Sequence, residues 1–385
     1  MESNEQRRFG CRARNRRTKA PVRLLCQLLV VVFSIILSGC SARLFPPRIR
    51  VGPVQGVLNH SDGACRNPGL VTLQHGVLLA SYECDGTAIY TQESRDHGVT
   101  WSAPIIAYAP PENYLVNNMT NLTLLSDGRV LLEFDKRSGD VNDLTYLPGV
   151  VAPDDRIDWG EPVTVSYDRN EWPSSCWSGG PIVQFSSRIL VWPVYCDSTP
   201  HSSTDYAYLT STVLRSTDGG MTWQQIKVAD GPADGRNYDE SAIAVLPNRH
   251  VVMMLRQTKD LSFDLYGTYW RAESQDGGAS WSTPEEVINV EDVSRPTLAV
   301  LPSGGLIFMG RAALGGIEAA TGFGVSWDEG RTFTPLKDLG VHGPGKGWDQ
   351  YDAMSMLPDG SAAVVTTHGT GVVNIDYRNL VQSTP

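Results

Sequence analysis

One short phrase, Ser-x-Asp-x-Gly-x-x-Trp, recurs along the chain and constrains its fold more than any other feature. Ser and Asp side chains accept hydrogen bonds from nearby backbone N–H groups, and Gly adopts the positive φ that a tight turn needs. The terminal aromatic residue is suited to packing between neighbouring sheets. A turn repeated in this way indicates a repeat architecture. The copies span residues 94–101, 216–223 and 274–281, with a looser copy at 326–333 that ends in Phe.

A second pattern, an apolar strand followed by a turn and another apolar strand, recurs six times. The first strands start 53 to 61 residues apart, at Arg66, Met119, Gly179, Glu240, Arg295 and Tyr351. The second segment is followed by a worn copy of the turn phrase that keeps Asp154 and Trp159. Six equal units of about four short strands predict an all-β fold, a six-bladed β-propeller of four-stranded antiparallel blades. The 37 Gly and 24 Pro residues suit such a turn-rich chain.

The repeats occupy residues 48–385, which predicts one propeller domain and no second module. The last unit lacks one strand after residues 371–377. Residues 48–58 are positioned to supply that strand and to close the ring, which would remove exposed sheet edges.

The N-terminal segment carries targeting signals. Eight basic residues between positions 7 and 23 precede an apolar run, residues 24–37, of signal-peptide length and too short for a comfortable membrane span. The run ends in Leu-Ser-Gly-Cys40, which resembles the bacterial lipoprotein cleavage site. We therefore expect a signal peptide over residues 1–39, a lipidated Cys40, a tether over residues 40–47, and export as a membrane-anchored lipoprotein at the cell surface or on the periplasmic side. An uncleaved signal anchor is the alternative.

Four cysteines follow Cys40, and export permits them to form disulfides. Cys65 and Cys84 stand at the two ends of one predicted hairpin, and Cys176 and Cys196 occupy nearly the same places in the third repeat. The ends of a hairpin lie side by side, so we expect bridges 65–84 and 176–196, with four buried thiols as the alternative. The spacing of these cysteines is not that of a metal site.

The exported part is acidic. Residues 40–385 hold 24 Lys and Arg against 40 Asp and Glu, a net charge of −16. Such a charge excludes nucleic acid as a partner. A cluster of arginines facing one pocket would stand out against this background.

Several polar side chains converge on one mouth of the predicted propeller. The first strand of each blade lines the central channel, and its start opens at one mouth, where ligands usually bind. Counting back six positions from the Leu or Phe before each turn gives one level of the ring, and the second strands of blades four and five return to that mouth. The positions at this level are Asn67, Met119, Gly179, Glu240, Arg295 and Tyr351, and Arg66 is one position further back in the first repeat. The polar residues that converge there are therefore Arg66, Glu240, Arg256, Arg295, Arg311 and Tyr351. Each alone has an ordinary structural explanation, but together they predict a binding or catalytic site.

With these residues in view, the exported part resembles the bacterial exo-acting sialidases (neuraminidases), whose turn repeats are called Asp-boxes or BNR repeats. Residues 65–70 (CRNPGL) resemble the Arg-Ile-Pro motif of that family, with Asn in place of Ile. Glu240, followed sixteen residues later by Arg256, resembles its Glu and Arg pair. Residues 351–360 resemble the segment that carries its nucleophilic Tyr.

The resemblance implies an exo-acting, retaining glycoside hydrolase that releases terminal sialic acid, or a related acidic sugar, through a tyrosyl intermediate. It assigns Tyr351 as the nucleophile, Glu240 as its base, and Arg66 and Arg256 as binders of the substrate carboxylate. A neutral phenol avoids the repulsion that a carboxylate nucleophile would meet at an anionic sugar. The planar guanidinium group of Arg binds a carboxylate with two parallel hydrogen bonds.

Two assignments depart from the family pattern. The acid/base Asp is expected in the short loop between the second and third strands of blade one, where Asp85 is the candidate and Asp62 the reserve. The family's third arginine falls at Gly324, so we expect Arg295 or Arg311 to substitute for it. We also expect three aromatic residues to flank the mouth, with core packing as the alternative for each: Trp177, Tyr206 and Trp348.

The implied mechanism requires no cofactor, and whether a loop holds a structural calcium ion stays open. The implied partners are sialylated or other acidic glycans, and we expect a monomer. The alternative function is a non-catalytic propeller that binds glycan or protein at the cell surface. The pairing of Glu240 with Tyr351 distinguishes the two, because a binding protein needs no base beside a phenol.

Overall fold

The computed structural model describes residues 48–51, 56–59, 65–139, 141–172, 175–197, 209–258, 267–342, 351–368 and 374–383. These residues are mostly β-strand with almost no helix, and residues 49–383 form one compact unit. Within the described part of the chain, no helix has the length and hydropathy of a membrane span. The predicted signal peptide, the tether and Cys40 lie outside the described residues.

The strands are numbered in chain order. Two short strands come first: β1 (Arg48–Val51) and β2 (Gly56–Asn59). One four-stranded sheet follows: β3 (Cys65–Thr72), β4 (Leu78–Cys84), β5 (Ala88–Ser94) and β6 (Ile105–Tyr108), with a 3₁₀ turn at Gln74–Gly76. A ten-stranded sheet comprises β7 (Leu115–Leu124), β8 (Arg129–Ser138), β9 (Val141–Val151), β10 (Ile157–Trp159), β11 (Val163–Thr164), β12 (Ser175–Ser178), β13 (Val183–Gln184), β14 (Leu190–Asp197), β15 (Leu209–Ser216) and β16 (Gln224–Ala229).

A single helical turn, α1 (Gly231–Asp234), separates these strands from the rest. A seven-stranded sheet then comprises β17 (Asn237–Val245), β18 (Val251–Thr258), β19 (Gly267–Ser274), β20 (Glu285–Val300), β21 (Leu306–Leu314), β22 (Ile317–Ser326) and β23 (Lys337–His342). The last sheet comprises β24 (Asp352–Met356), β25 (Ala362–His368) and β26 (Asn374–Ser383).

Five of the six predicted hairpins form antiparallel pairs in the expected places: β3/β4, β7/β8, β17/β18, β20/β21 and β24/β25. The third is different, because its first strand is reduced to Val183–Gln184 and pairing begins earlier, at β12. Gly179 approaches the next hairpin so closely that a Cβ there would lie 2.7 Å from Ser241 Oγ. Pro181 also lacks the N–H that a continuous ladder needs. The predicted strand is therefore interrupted at residues 179–182.

The N-terminal strands complete the last sheet. β2 pairs antiparallel with β26 from Gly56 opposite Tyr377 to Asn59 opposite Asn374, and β1 pairs with β26 as well. The two ends of the repeat region therefore share one sheet, as the missing strand in the last repeat predicts. This pairing covers an edge that would otherwise be open to association with other chains.

The turn phrase forms the same hydrogen-bonded loop in its four complete copies. In the first, Ser94 Oγ accepts the N–H of Gly98 at 2.7 Å. Asp96 accepts both the N–H of Thr100, at 2.8 Å, and its hydroxyl, at 2.6 Å. The same bonds recur in the other three copies. In the second copy, hydrogen bonds from Thr222 lower the pKa of Asp218 to about 2, which shows that the loop stabilises the carboxylate form.

Six apolar clusters lie between successive repeats, and each draws side chains from two neighbours. The cluster that joins the last repeat to the first contains Leu70 and Tyr82 together with Leu357 and Val365. The aromatic residue that ends each turn phrase packs into the cluster shared with the preceding repeat: Trp101, Trp159, Trp223, Trp281 and Phe333. Full burial of one such large side chain is worth about 1.5–3 kcal/mol. The repeats are therefore held together by side-chain packing between sheets.

Two disulfides close hairpins at the ends remote from their turns. Cys65 is bonded to Cys84, its partner across β3 and β4. Cys176 is bonded to Cys196, its partner across β12 and β14. All four residues are buried. The end of each hairpin away from its turn is called the mouth end below.

Candidate active site

Four hairpins have a register irregularity at the same level of their mouth ends, and in three of them it is a β-bulge that puts two residues opposite one. An extra residue on one strand breaks the alternation of the ladder and directs a side chain to a new side. Asn67, Glu240 and Arg295, which the repeat spacing put at one level, lie in these bulges. Two residues oppose one in each: Asn67 and Pro68 opposite Tyr82, Asp239 and Glu240 opposite Arg256, and Arg295 and Pro296 opposite Gly310.

One nitrogen of Arg256 contacts two carboxylates. Its Nη1 donates to Glu240 Oε2 at 2.9 Å and to Asp239 Oδ2 at 3.2 Å. All three side chains are nearly buried, with exposures of 8% for Arg256, 13% for Glu240 and 6% for Asp239. Consecutive residues of a regular strand would face opposite sides, so the bulge is what brings both carboxylates to one guanidinium group.

Asp239 is a site residue that the sequence reasoning missed. Burial and, to a smaller extent, the charge of Glu240 raise the pKa of Asp239 well above its ordinary value, although Arg256 acts to lower it. Burial lowers the pKa of Arg256, but the two carboxylates outweigh it and the net direction is upward. The adjacent Asp239 and Glu240 could have suggested from the sequence that both belong to the site. Only the bulge shows that both side chains point toward Arg256.

Tyr351 lies immediately before β24 and is the point on which the other predicted residues converge. Burial raises the pKa of its phenol, and the charge of Glu240 raises it further. Arg295, Arg311 and Arg256 act in the opposite direction and lower it. These five side chains therefore lie within electrostatic reach of one another, at one end of the hairpins.

Arg295 stacks on Tyr351 and is held from the other side by Asn67. Its guanidinium carbon lies 3.6 Å from the centroid of the Tyr351 ring. Its Nη1 donates to Asn67 Oδ1 at 2.9 Å. Arg311, on β21 opposite Thr321, is also buried. The predicted substitutes for the third arginine are thus both in the site.

Arg66 is attached to the same network through Glu83. Its Nε donates to Glu83 Oε1, which also accepts from Asn67 Nδ2 at 3.3 Å. Burial raises the pKa of Glu83. The charge of Arg66 lowers this pKa, but by less than burial raises it. The Arg66 side chain is 42% exposed, so part of it is open to solvent. Glu83 was not predicted, although the register that pairs Cys65 with Cys84 puts it directly opposite Arg66.

Asp85 lies in the tight turn between β4 and β5. It is exposed, and its φ of 54° is in the left-handed region. The N–H of the next residue, Gly86, donates to Glu83 Oε2 at 2.8 Å, which fixes the turn to the network. The Asp85 carboxylate raises the pKa of Glu83, whereas the groups that most affect the Tyr351 pKa are Glu240 and the three arginines. The reserve candidate, Asp62, lies outside the described residues.

Gly324 lies at the other end of its strand from the arginines. It pairs with Phe308, near the turn phrase, whereas Arg311 pairs with Thr321 toward the mouth. A Cβ at Gly324 would lie 2.9 Å from the carbonyl oxygen of Thr334. An arginine at this position would therefore need a shift of the neighbouring backbone.

One of the three predicted mouth aromatics lies beside the site. Trp177 stacks on Tyr195, with ring centroids 5.4 Å apart. Burial raises the pKa of Tyr195, and the charges of Glu240 and Asp239 contribute to the shift. Tyr206 and Trp348 lie outside the described residues.

Among the described residues, one group has side chains close enough to hold a metal ion: His250, Glu273 and Glu329. It lies by the turns, away from the mouth end. Both carboxylates are already engaged by arginines, because Arg271 Nη2 contacts Glu273 at 2.5 Å and Arg331 Nη1 contacts Glu329 at 3.2 Å. The arrangement is therefore an ion-pair network between two repeats.

The mouth site combines a phenol, a carboxylate within electrostatic reach of it, and a group of buried guanidinium groups. A phenol whose proton passes to a carboxylate becomes a nucleophile. Guanidinium groups in a water-poor environment bind anions strongly. The arrangement is suited to attack on an electrophilic carbon of an anionic ligand.

Residues 138–339 match the protein family described as a BNR repeat-like domain. A Dyadobacter fermentans protein of unknown function is similar over 88% of this chain and 100% of its own, with 16% identity and a TM-score of 0.69. A Penicillium chrysogenum α-L-arabinanase has 16% identity and a TM-score of 0.61, covering 86% of this chain and 98% of its own. A Hadza microbial sialidase has 17% identity and a TM-score of 0.62, covering 82% and 65%. No curated protein sequence matches the chain significantly. At these identities the likeness shows the fold, which is that of β-propellers.

Proposed function

The chain belongs to the BNR repeat-like domain family, and from this premise we propose that it is a retaining, exo-acting glycoside hydrolase that releases a terminal acidic sugar, such as sialic acid, from glycans. The observation that carries the proposal is the convergence of Glu240, Arg256, Arg295 and Arg311 on the phenol of Tyr351. A non-catalytic binding site has no need of a carboxylate beside a phenol, whereas a phenol that acts as a nucleophile needs a group to take up its proton.

We propose that the fold is a six-bladed β-propeller with the site at one mouth. Six apolar clusters, each between consecutive repeats, support this number of blades. The pairing of β1 and β2 with β26 supplies the outer strands of the last blade. The ten-stranded and seven-stranded sheets each contain two repeats, joined at the contact of β12 with β9 and along the long strand β20.

In the proposed first step, Tyr351 Oη attacks the anomeric carbon while its proton passes to Glu240. The glycosidic C–O bond breaks, and Asp85 is the proposed donor of a proton to the leaving oxygen. In the second step, water gives a proton to Asp85 and attacks the same carbon. The bond to Tyr351 then breaks, and the phenol regains its proton from Glu240. Two displacements at one carbon give net retention.

The buried arginines favour an acidic sugar over a neutral one. Arg256 and Arg311 are each no more than 7% exposed and lie within electrostatic reach of the Tyr351 phenol. A sugar without a carboxylate, such as arabinose, would gain no charge-assisted hydrogen bond from this group of arginines. Arg66, half-exposed at the rim, is the further binder of the sugar carboxylate.

The test is hydrolysis of a fluorogenic sialoside by the purified full-length protein. We expect turnover that Tyr351→Phe reduces by about 10³-fold or more, as loss of a nucleophile does. Tyr108→Phe is the matched control, because Tyr108 packs on Phe134 through its ring and that contact survives the change. Binding of acidic sugars without turnover would instead favour a non-catalytic glycan-binding propeller. Turnover of arabinosides in place of sialosides would reject the acidic substrate.

We also propose that residues 1–39 are a signal peptide and that Cys40 anchors the exported propeller through a lipid. The test is metabolic labelling with a clickable fatty acid in a bacterial host. We expect the protein to be labelled, Cys40→Ser to abolish the labelling, and Cys26→Ser to leave it intact. Labelling that persists in Cys40→Ser would reject the anchor.

A further inference from the structure

Asn67 and Arg295 are two buried residues with unusual backbone geometry that contact each other across the mouth. Their φ angles are 57° and 54°, in the left-handed region that residues other than Gly rarely adopt. Each immediately precedes a proline, whose ring favours extended backbone in the residue before it. Each is also the first bulge residue of its hairpin. Two disfavoured conformations at matching places indicate a positional requirement.

The contacts of Arg295 differ from those of Arg256 and Arg66. Arg256 contacts two carboxylates and Arg66 contacts Glu83. Within the described part of the chain, Arg295 contacts the neutral amide of Asn67 and the ring of Tyr351, and it has no carboxylate within 4.0 Å. A buried cation without an anionic partner is costly. Arg295 is therefore under-compensated while Tyr351 is a neutral phenol.

Arg295 gains an anionic partner when the phenol of Tyr351 loses its proton. As Tyr351 Oη attacks and its proton moves to Glu240, negative charge develops on the phenol and extends into the ring. The guanidinium group stacked 3.6 Å from the ring centroid is then next to an anion. An interaction that strengthens only as charge develops lowers the barrier and leaves substrate binding little changed.

We propose that Arg295 is a positioning residue for Tyr351, held against the phenol ring by Asn67, and that the paired left-handed bulges exist to present these two side chains to each other. The catalytic part of this proposal rests on the proposed function. The electrostatic part, that Arg295 stabilises the phenolate form of Tyr351, holds whether or not the protein is a glycosidase. Asn67 is itself fixed by Glu83 and by the hydroxyl of Thr120, which donates to its carbonyl oxygen at 2.6 Å.

Other charges also face the phenol and must be held constant in a test. They are Glu240 from β17, Arg256 from β18 and Arg311 from β21. Around Arg295 the corresponding groups are Glu240, Tyr195 and Asp352. A substitution at Arg295 changes none of these, and neither does a substitution at Asn67.

The experiment is an ultraviolet difference titration of Tyr351, taken as each protein minus its own Tyr351→Phe counterpart. We expect Arg295→Gln to raise the pKa of Tyr351 by about one pKa unit or more, the size of a desolvated cation–π contact. Asn67→Gly, which tolerates the left-handed φ but removes the amide, is expected to raise it by less. Arg295→Lys is expected to restore part of the difference, because it keeps the charge and loses the planar stack.

The control is Arg215→Gln, which removes a half-buried arginine whose Nε donates to the carbonyl of Gly277, in a turn phrase away from the mouth. It is expected to leave the pKa of Tyr351 unchanged. If Arg295→Gln fails to fold, Asn67→Gly and Arg295→Lys decide the question. An unchanged Tyr351 pKa in folded variants of Arg295 and Asn67 would overturn the proposal.

A kinetic measurement separates this inference from the proposed function. With a sialoside that is turned over, Arg295→Gln is expected to lower kcat about tenfold with a change in KM below about twofold. A rise in KM at constant kcat would assign Arg295 to substrate binding and overturn the positioning role. If no sugar is turned over, the proposed function fails, while the titration still tests the contact of Arg295 with the phenol.

Discussion

The hydroxyl groups of Thr72 and Ser355 lie 2.8 Å apart, although 283 residues separate them in the chain. Ser355 Oγ also accepts the backbone N–H of Thr72 at 2.9 Å. The first hairpin is thereby attached to the last one, beside the cluster in which Leu70 and Val365 are buried together. Ser355 lies on β24, the strand that begins immediately after Tyr351, so the closure of the repeats also fixes the strand next to the site.

Ser355→Ala should weaken this closure. The change leaves the N–H and the hydroxyl of Thr72 without their partner, so we expect a loss of about 1–2 kcal/mol in the free energy of unfolding. The measurement is denaturant unfolding of the purified protein. Ser187→Ala, at an exposed turn, is the control and should stay within about 0.5 kcal/mol of the parent. Equal stability of the two variants would argue against a structural role for the Ser355 contact.

The two disulfides offer a matched pair of variants. Each closes a hairpin of nearly equal length, with sequence separations of 19 and 20 residues. Replacing either pair of cysteines by alanines should cost about 3 kcal/mol. The loss of Cys65–Cys84 should lower activity more at a permissive temperature, because that bridge borders the turn of Asp85, the proposed acid, which Gly86 fixes to Glu83. The other bridge borders Trp177 and Tyr195, which have no part in the proposed steps. If both variants lose the same fraction of activity, the turn between β4 and β5 has no special role in the mechanism.

Glu133 should make the protein less stable as the pH rises. It is fully buried on β8, and burial raises its pKa from 4.5 to about 8. An acid whose folded pKa is raised contributes stability that is present below pH 4.5 and lost as the pH rises toward 8. Glu133→Gln removes this loss, which amounts to up to about 5 kcal/mol at alkaline pH.

Thermal unfolding at a series of pH values measures this effect. The gain in Tm from Glu133→Gln should be larger at pH 8 than at pH 5. The control is Glu161→Gln, at an exposed position, which should show no such trend. A gain of equal size at both pH values would mean that Glu133 titrates normally in the folded protein.

Glu240→Gln should abolish most of the activity while leaving the fold intact. It removes the proposed proton acceptor, and general bases contribute about 10²–10⁴-fold to rates. The amide still accepts a hydrogen bond from Arg256, so the bulge should persist. Steady-state kinetics on a sialoside, with Glu161→Gln as the control, measure the loss. A tenfold or smaller effect on kcat would exclude Glu240 as the base.

Much of the fold could be predicted from the sequence, because the turns and hairpins depend on residues that are close together in the chain. The hydrogen bonds of each turn phrase link residues four apart, such as Ser94 with Gly98 and Asp96 with Thr100. The hairpins follow from apolar runs on either side of such turns. The exception, residues 179–182, follows from the approach of Gly179 to Ser241, which lies in another repeat. No local pattern reports a contact of that kind.

The sequence predicted most of the residues of the site, but it did not predict which of them contact one another. The repeat spacing put Glu240, Arg295 and Tyr351 at one level. It could not show that Asp239 joins Glu240 on Arg256, because that depends on a bulge. It could not pair Arg295 with Asn67 either, because 228 residues and the packing of repeats separate them. Register and strand curvature decide such contacts, and both are set by the assembled sheets.

The most direct test of the account is to trap the intermediate. The reagent is 2,3-difluorosialic acid, which forms a covalent intermediate with a Trypanosoma rangeli sialidase. Incubation of the full-length protein with that compound, followed by peptide mass spectrometry, should show one added sugar on Tyr351, and none in Tyr351→Phe. Hydrolysis of a sialoside with no adduct on Tyr351, or with the adduct on another residue, would contradict the account.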